Sequence, residues 1–173
     1  MKKYLLIMAM AFLCMPAAEI MAQDAADKAV APVARDMPAV DITVQGKGGM
    51  TQVFHVEVAL TDEDQANGLM GRREMAANAG MLFFFGEEKP RYFWMKDTLI
   101  PLDMLFIRKD GTISHIHPNA RPLDESAVAS EGPVAAVLEL NGGTVALLGI
   151  GNGDKVINGS YFNNKSPASK NGP

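Results

Sequence analysis

The chain has 173 residues, of which 48% are hydrophobic, and its 16 glycines and 10 prolines fit one compact, turn-rich globular domain with extensions. The formal net charge is −4 at pH 7 and no run of basic residues occurs, which argues against nucleic acid or anionic membrane surfaces as partners. The single cysteine, Cys14, precedes the predicted domain. Disulfides, cysteine nucleophiles and thiolate metal sites are therefore excluded from that domain.

The first 22 residues follow the order of a secretory signal peptide. Two lysines precede an uncharged run from Tyr4 to Met15, which is followed by Pro16-Ala17-Ala18 and then by Ile20-Met21-Ala22. The run is shorter than the roughly 20 apolar residues of a membrane span. We expect cleavage after Ala22, export to the periplasm and no stable membrane insertion afterwards. Cleavage after Ala18 and lipid anchoring at Cys14 are the alternatives.

The remaining chain divides into three parts by composition. Residues 23–40 lack aromatics and a steady period, which predicts a flexible linker. Residues 41–162 are predicted to form a single globular domain, and residues 163–173 a disordered polar tail.

The domain is predicted to begin with a hairpin followed by a helix. Residues 41–44 and 52–59 read as strands joined by a glycine-rich turn, and the second alternates apolar and polar side chains. Thr61 then offers a hydroxyl that can cap a helix, and three acids favour its positive end. The helix is predicted to run from Asp62 to Met70 and to pack across one opening of the sheet.

The central stretch is predicted to hold two covered strands. Residues 81–85 are apolar on both faces, and residues 86–90 read as a turn. Residues 92–98 include the only tryptophan, Trp94, and interleave large apolar side chains with Lys96 and Asp97. A strand there would be covered on both sides, so its charged groups must be paired or lie in a solvated recess.

The second half is predicted to be mainly strands. Residues 102–107 and 112–117 flank Asp110-Gly111, the strongest short-range hairpin signal in the chain. Residues 118–133 read as a long surface loop, residues 134–140 fit either strand or helix, and residues 155–157 form a last short strand after a glycine-rich turn. The fold class is α+β and mostly β: a small barrel-like or folded antiparallel or mixed sheet with one or two short helices.

The chain resembles the domain of unknown function 192 family between about Val53 and Val156. The matching segments are Gly68-Leu69-Met70-x-Arg72, Gly80-Met81-Leu82-Phe83, Phe93-Trp94-Met95-Lys96-x-Thr98-x-x-Pro101-Leu102-Asp103, Val137-Leu138-Glu139 and Gly149-Ile150-x-x-Gly153-Asp154. The resemblance implies a small, mostly β domain, often exported, with no established activity. The family usually has asparagine where this chain has Asp97, so a ligand that relied on that amide is placed in doubt.

Six residues form the candidate ligand-binding set: Arg72, Trp94, Lys96, Asp97, Asp103 and Glu139. One interpretation is structural, because charges beside apolar stretches are usually buried ion pairs. The other is a pocket in which Trp94 provides a flat wall, Lys96 and Arg72 bind an anionic group, and Asp103 or Glu139 fixes orientation or acts as acid or base. The ligand would be small and anionic or sugar-like.

The signal for catalysis is weak. Carbohydrate hydrolysis by Asp103 and Glu139 would require their carboxyl groups to stand about 5 to 9.5 Å apart in an open cleft. No Gly-x-Ser-x-Gly elbow occurs, and the glycines from Gly149 to Gly153 precede a strand rather than opening a helix. We assign no catalytic residue and no cofactor, and the question of an enzyme stays open with a preference against it.

Two further functions come from other classes of protein. His115 and His117 would share one strand face and, with some of the 12 methionines, could bind copper or zinc, although four convergent ligands are not visible. An envelope partner is the other alternative, favoured if Trp94 lies in a flat exposed patch. We expect a monomer whose partner is a small molecule or an envelope component.

Overall fold

The computed structural model describes residues 37–162, which form one mixed, curled sheet of seven strands with two short helices. This confirms the predicted mostly β fold. The elements in chain order are β1 (Ala39–Gln45), β2 (Thr51–Ala59), α1 (Asp62–Asn67), β3 (Ala79–Phe93), β4 (Leu102–Ile107), β5 (Ile113–Ala120), β6 (Val128–Asn141), α2 (Thr144–Leu148) and β7 (Lys155–Ile157).

The predicted signal peptide, most of the linker and the predicted tail lie outside the described residues. Within residues 37–162, neither helix has the length and apolar character needed to cross a membrane.

Strand β6 organises the sheet. The strand order is β5-β4-β6-β3-β2-β1-β7, so β6 lies between β3 and β4 and joins the two hairpins, β1–β2 and β4–β5. The β2–β3 pair is parallel, and the other pairs are antiparallel. The connection from β2 to β3 includes α1, which therefore lies beside the sheet.

The two edges of the sheet meet at one end. Thr112, just before β5, forms an antiparallel bridge with Lys155 of β7. The Ile113 amide donates to the Asp154 carbonyl at 2.9 Å, and the Val156 amide donates to the Gly111 carbonyl at 2.8 Å. Backbone groups that would otherwise be open along β5 and β7 are used here, and the sheet curls into a half-barrel.

The central strands are covered on both faces. Every residue of β4 is buried, as are residues 134–140 of β6. Because neighbouring residues of a strand point to opposite faces, Leu138 joins one apolar cluster and Val137 the other. The second cluster, which also contains Met81, Phe83 and Met104, covers what we call the site face.

Several predicted elements are confirmed. Both hairpins form, and the last strand spans Lys155–Ile157 as predicted. Residues 134–140, for which the sequence left strand and helix open, belong to a strand. Thr61 caps α1, its hydroxyl oxygen accepting from the Asp64 amide. The helix ends earlier than predicted, at Asn67, because Gly68 takes a positive φ of 46° that stops the helical turn.

Three predictions in the middle of the chain are wrong. Residues 86–90 are not a reversing turn but part of β3, whose register against β6 shifts between Phe84 and Lys89, so extra residues are absorbed as a bulge. Residues 92–98 are not a strand, since β3 ends at Phe93 and Asp97 takes a left-handed φ of 52°.

The third wrong prediction is the loop at residues 118–133. Strand β5 continues to Ala120 and β6 begins at Val128, so only residues 121–127 connect them. Two of the three prolines that suggested a loop are tolerated within strands, because Pro118 lies in an edge strand and Pro133 at a register irregularity of β6. Pro122 lies in the remaining connection.

Candidate functional site

A cavity of about 500 Å³ opens on the site face, beside α1. This volume lies within the range of roughly 300–1,000 Å³ that is typical of small-molecule sites. Residues 65–70, from α1 and the turn after it, form one part of its lining. Thr98, Arg91 and Glu139 contribute polar groups, and the aromatic lining is Phe83, Phe85, Tyr92, Phe93 and Trp94.

Strand register places Glu139 in the middle of the site face. Glu139 is paired with Met81 of β3 on one side and with Met104 of β4 on the other. Its side chain therefore projects among the apolar residues of the second cluster and is only 4% exposed. Strand β3 can approach β6 closely at this point because residue 80 is a glycine. A Cβ at Gly80 would lie 2.6 Å from the Glu139 carbonyl oxygen.

The carboxyl group of Glu139 has no polar partner among residues 37–162. None of their groups hydrogen-bonds to it or forms an ion pair with it. Burial raises the pKa of Glu139 from 4.5 to about 8, because the ionised form loses its hydration. At pH 7 the carboxyl is therefore mainly neutral, and it can both donate and accept a hydrogen bond at the cavity.

Arg91 is a second polar group with unused hydrogen-bonding capacity. Its guanidinium carbon lies 3.8 Å from the centroid of the Phe85 ring, and its Nε is buried without a hydrogen-bond acceptor in the described part of the chain. The nearest ion-pair partner is Glu87 Oε1, 3.9 Å from Nη2, and Lys89 Nζ approaches that same oxygen to 2.7 Å. The positive charge of Arg91 is thus only weakly balanced by a nearby carboxylate.

Sequence reasoning missed Arg91 because it placed residues 86–90 in a turn and began the next strand at Tyr92. The available signal was its position at the start of the aromatic stretch. In the structure, the Arg91 amide donates to the Ser130 hydroxyl at 3.0 Å, which fixes the backbone of β3 against β6 at this point.

The aromatic stretch is more exposed than predicted. Trp94 is 50% exposed and Tyr92 is 72% exposed, so the prediction that this segment is covered on both sides is wrong. Strand β3 ends at Phe93, and in the following segment Met95 and Ile100 are buried in the second cluster. Lys96 Nζ lies 5.5 Å from the centroid of the Trp94 ring, but Lys96 does not line the cavity.

Asp103 is fully buried away from the cavity. Its carboxylate accepts hydrogen bonds from the backbone amides of Asn119 at 2.7 Å, Gly143 at 3.1 Å and Val145 at 2.8 Å. The last two amides open α2, which has no capping side chain of its own. Asp103 therefore fastens the start of α2 to the sheet, and its hydrogen-bonding capacity is used there.

Arg72 and Asp97 also lie outside the cavity lining. Arg72 Nη2 lies 2.7 Å and 2.8 Å from the two carboxylate oxygens of Glu57 on β2, so its charge is compensated. Asp97 is exposed, and its carbonyl accepts from the Gly71 amide at 2.8 Å. Of the six predicted ligand-binding residues, the structure brings Trp94 and Glu139 to one cavity and leaves the other four outside it.

The carboxylate pair considered for carbohydrate hydrolysis is not assembled. Asp103 is paired with Leu140, the residue next to Glu139 on β6. Because paired residues share a face and neighbouring residues of a strand alternate, the side chains of Asp103 and Glu139 point to opposite faces of the sheet. A shared cleft between these two carboxyl groups is therefore absent.

The two histidines share a strand face, as the sequence predicts. His115 Nδ1 lies 3.2 Å from Glu131 Oε2, and the His115 ring stacks on Phe106 with centroids 5.6 Å apart. No group of three or more His, Cys, Asp or Glu side chains that could hold a metal ion occurs between residues 37 and 162. Three methionines of the site face, Met81, Met95 and Met104, are buried as core residues.

These features define a class of protein: a mostly β domain with an aromatic-lined cavity on one sheet face and a buried carboxyl group in its lining. Residues 42–157 match the family model DUF192, described as uncharacterized ACR. The chain belongs to this family, as its sequence motifs predict. No curated protein matches the chain at a significant level.

Two crystal structures are similar to this chain. One is a protein of Sinorhizobium meliloti, described as a proposed transcription regulator, with 46% identity, a TM-score of 0.70, and coverage of 71% of this chain and 95% of that one. The other is a protein of unknown function from Novosphingobium aromaticivorans, with 44% identity, a TM-score of 0.69, and coverage of 75% and 91%.

Proposed function

We propose that this protein binds a small, sugar-like molecule in the cavity on the site face. The observation that carries the proposal is Glu139, whose buried carboxyl lines the cavity without a partner among residues 37–162. Burying such a group without a hydrogen bond costs about 1–3 kcal/mol, and a ligand hydroxyl would recover that cost.

The aromatic lining supports the same ligand class. Trp94 and Tyr92 are exposed at the cavity, where flat rings can contact the C–H faces of a sugar ring. A neutral Glu139 carboxyl suits a hydroxyl group because each can donate to and accept from the other. Of the anionic and sugar-like ligands that the sequence suggests, a hydroxylated one is therefore the better match to this carboxyl.

Fluorescence of Trp94, the only tryptophan, gives a direct test. We expect at least one of a panel of monosaccharides and disaccharides to change its emission in a saturable manner, with the affinity confirmed by calorimetry. Glu139→Met keeps the length of the side chain but removes both its donor and its acceptor, and we expect it to weaken binding about tenfold. The matched control is Leu147→Ala, which alters a side chain that is 84% exposed.

A panel that produces neither an emission change nor calorimetric heat would contradict the proposal. Equal affinities of wild type and Glu139→Met would show that Glu139 does not contact the ligand.

A partner-interaction module is the second candidate, because Tyr92 and Trp94 are large exposed aromatics. It predicts that replacing both residues by alanine abolishes capture of an envelope protein while sugars leave that capture unchanged. Competition by a sugar would favour the cavity instead. The setting that we propose for either function is the periplasm, on the basis of the signal-peptide pattern in residues 1–22.

A further inference from the structure

We propose that the sugar-like ligand carries a carboxylate, and that the Arg91 guanidinium binds this carboxylate while Glu139 hydrogen-bonds to the sugar hydroxyls. This inference rests on the proposed function and narrows its ligand to acidic sugars. It makes Arg91 a ligand-binding residue and the determinant of specificity between acidic and neutral sugars.

The first argument is the state of Arg91 Nε. Among side-chain nitrogen and oxygen atoms of residues 37–162 that have practically no contact with solvent, it alone lacks a hydrogen-bond partner. Arginine is always charged and cannot relieve a missing acceptor by losing a proton. A buried donor of this kind, on a residue that lines the cavity, can be satisfied by an acceptor from the cavity once the side chain turns toward it.

The second argument is the geometry of the guanidinium group. The guanidinium carbon lies over the Phe85 ring, 3.8 Å from its centroid, and the contact to Glu87 at 3.9 Å is longer than a hydrogen bond. Nε and a terminal nitrogen of arginine together form a fork that matches the two oxygens of a carboxylate. A hydroxyl group could satisfy only one arm of that fork, so the geometry favours a carboxylate.

The third argument is the balance of charge around the cavity. Glu139 is mainly neutral at pH 7 and does not repel an anion. Glu57 on β2 is paired with Met81 of β3, which in turn is paired with Glu139 of β6, so the two acids lie in one row across the sheet. The negative charge of Glu57 is balanced by its ion pair with Arg72. Lys96, beside Trp94, adds a positive charge near the indole ring. Glu87, the carboxylate nearest to Arg91, is paired with Lys89 at 2.7 Å, so the charges near the cavity are compatible with one carboxylate at Arg91.

The test uses two matched pairs of probes, galacturonate with galactose and glucuronate with glucose. Members of each pair differ in whether C6 is a carboxylate or a hydroxymethyl group. With the wild-type protein at pH 7, we expect the acid of at least one pair to bind ten times or more tightly than its neutral partner. We expect Arg91→Gln to weaken acid binding and so to bring the ratio of acid to neutral-sugar affinity close to one.

Two further variants keep the test decisive. Arg91→Lys retains the charge but loses the fork, and we expect it to keep less than a third of the acid preference. Arg73→Gln is the control, because Arg73 is exposed and outside the cavity lining. Thermal melting of each variant checks that it folds, and the wild-type comparison stands even if an Arg91 variant does not.

The outcomes separate the two proposals. Equal affinity for the acid and neutral members of both pairs would overturn the inference while leaving sugar binding intact. An acid preference that survives in Arg91→Gln would also overturn it, because the carboxylate would then be recognised elsewhere. Absence of binding by all four probes and by the wider panel would contradict the proposed function itself.

Discussion

The Asp103 carboxylate lies 2.8 Å from the backbone nitrogen of Val145, 42 residues further along the chain. Together with the Gly143 amide, this contact ties the start of α2 to the beginning of β4. We predict that Asp103→Asn lowers the free energy of unfolding by about 2–3 kcal/mol, because an amide nitrogen would face a backbone N–H. Urea unfolding followed by circular dichroism measures the change.

The control for Asp103 is Glu125→Gln, which neutralises an exposed carboxylate. Sugar affinity should be unchanged in folded Asp103→Asn. If the variant lost sugar affinity without losing stability, Asp103 would have to be a ligand-binding residue.

The Arg72–Glu57 ion pair is predicted to be a modest structural contact. Both side chains are about one-third exposed or less, at 27% and 31%, so the solvent screens their attraction. A double-mutant cycle with Arg72→Met and Glu57→Gln should give a coupling energy below about 1 kcal/mol. Calorimetric titration with the probe sugars should give the same affinity in all four proteins. A tenfold weaker affinity in Arg72→Met would show that Arg72 reaches the ligand.

Burial of Glu139 predicts a specific dependence of stability on pH. Its pKa is about 8 in the folded protein and 4.5 when unperturbed, so between these values the unfolded chain binds fewer protons than the folded one. The Glu139 contribution to the free energy of unfolding therefore falls as the pH rises from 4.5 to 8, by at most about 1.4 kcal/mol per pH unit.

Glu139→Gln removes this contribution because the amide does not titrate. Urea unfolding at pH 5, 6, 7 and 8 should show that the variant gains stability relative to wild type as the pH increases. Parallel pH profiles for the two proteins would mean that Glu139 keeps an ordinary pKa in the folded state.

Trp94 is predicted to contribute to ligand affinity and little to stability. Because half of its surface is exposed, Trp94→Ala should change the free energy of unfolding by less than about 1 kcal/mol. The same change should weaken sugar binding about tenfold or more, since the ring contact is lost. Calorimetry makes the measurement, and Trp94→Phe, which keeps a ring, should retain most of the affinity. Unchanged affinity in Trp94→Ala would place the ligand elsewhere.

Local sequence patterns predicted the elements that depend on nearby residues. Asp110-Gly111 marked the β4–β5 hairpin, and Thr61 marked the start of α1, because turn and cap preferences act over a few residues. The end of β3 was missed for the opposite reason. Pairing with the distant strand β6 continues β3 through residues 86–90, and local turn residues are absorbed into an irregular register.

The candidate site was predicted only in part because burial and strand register depend on distant pairing. Glu139 and Trp94 were selected as residues with unusual neighbours, and both line the cavity. Asp103 shared the same sequence character, but its partners at Asn119, Gly143 and Val145 are supplied by later segments. Arg91 was not selected from the sequence, because its position over Phe85 depends on how β3 continues through residues 86–90.

The bridge between Thr112 and Lys155 has a consequence for how the chain acquires its structure. The hairpins β1–β2 and β4–β5 can join one sheet only after β6 has been synthesised. The open edges of the sheet are covered only after β7 has also been synthesised. Long-range pairing of this kind slows folding. During synthesis, a nascent chain that has not yet reached residue 155 exposes unpaired strands suited to self-association. Premature termination near residue 150 should therefore yield aggregates rather than a smaller folded domain.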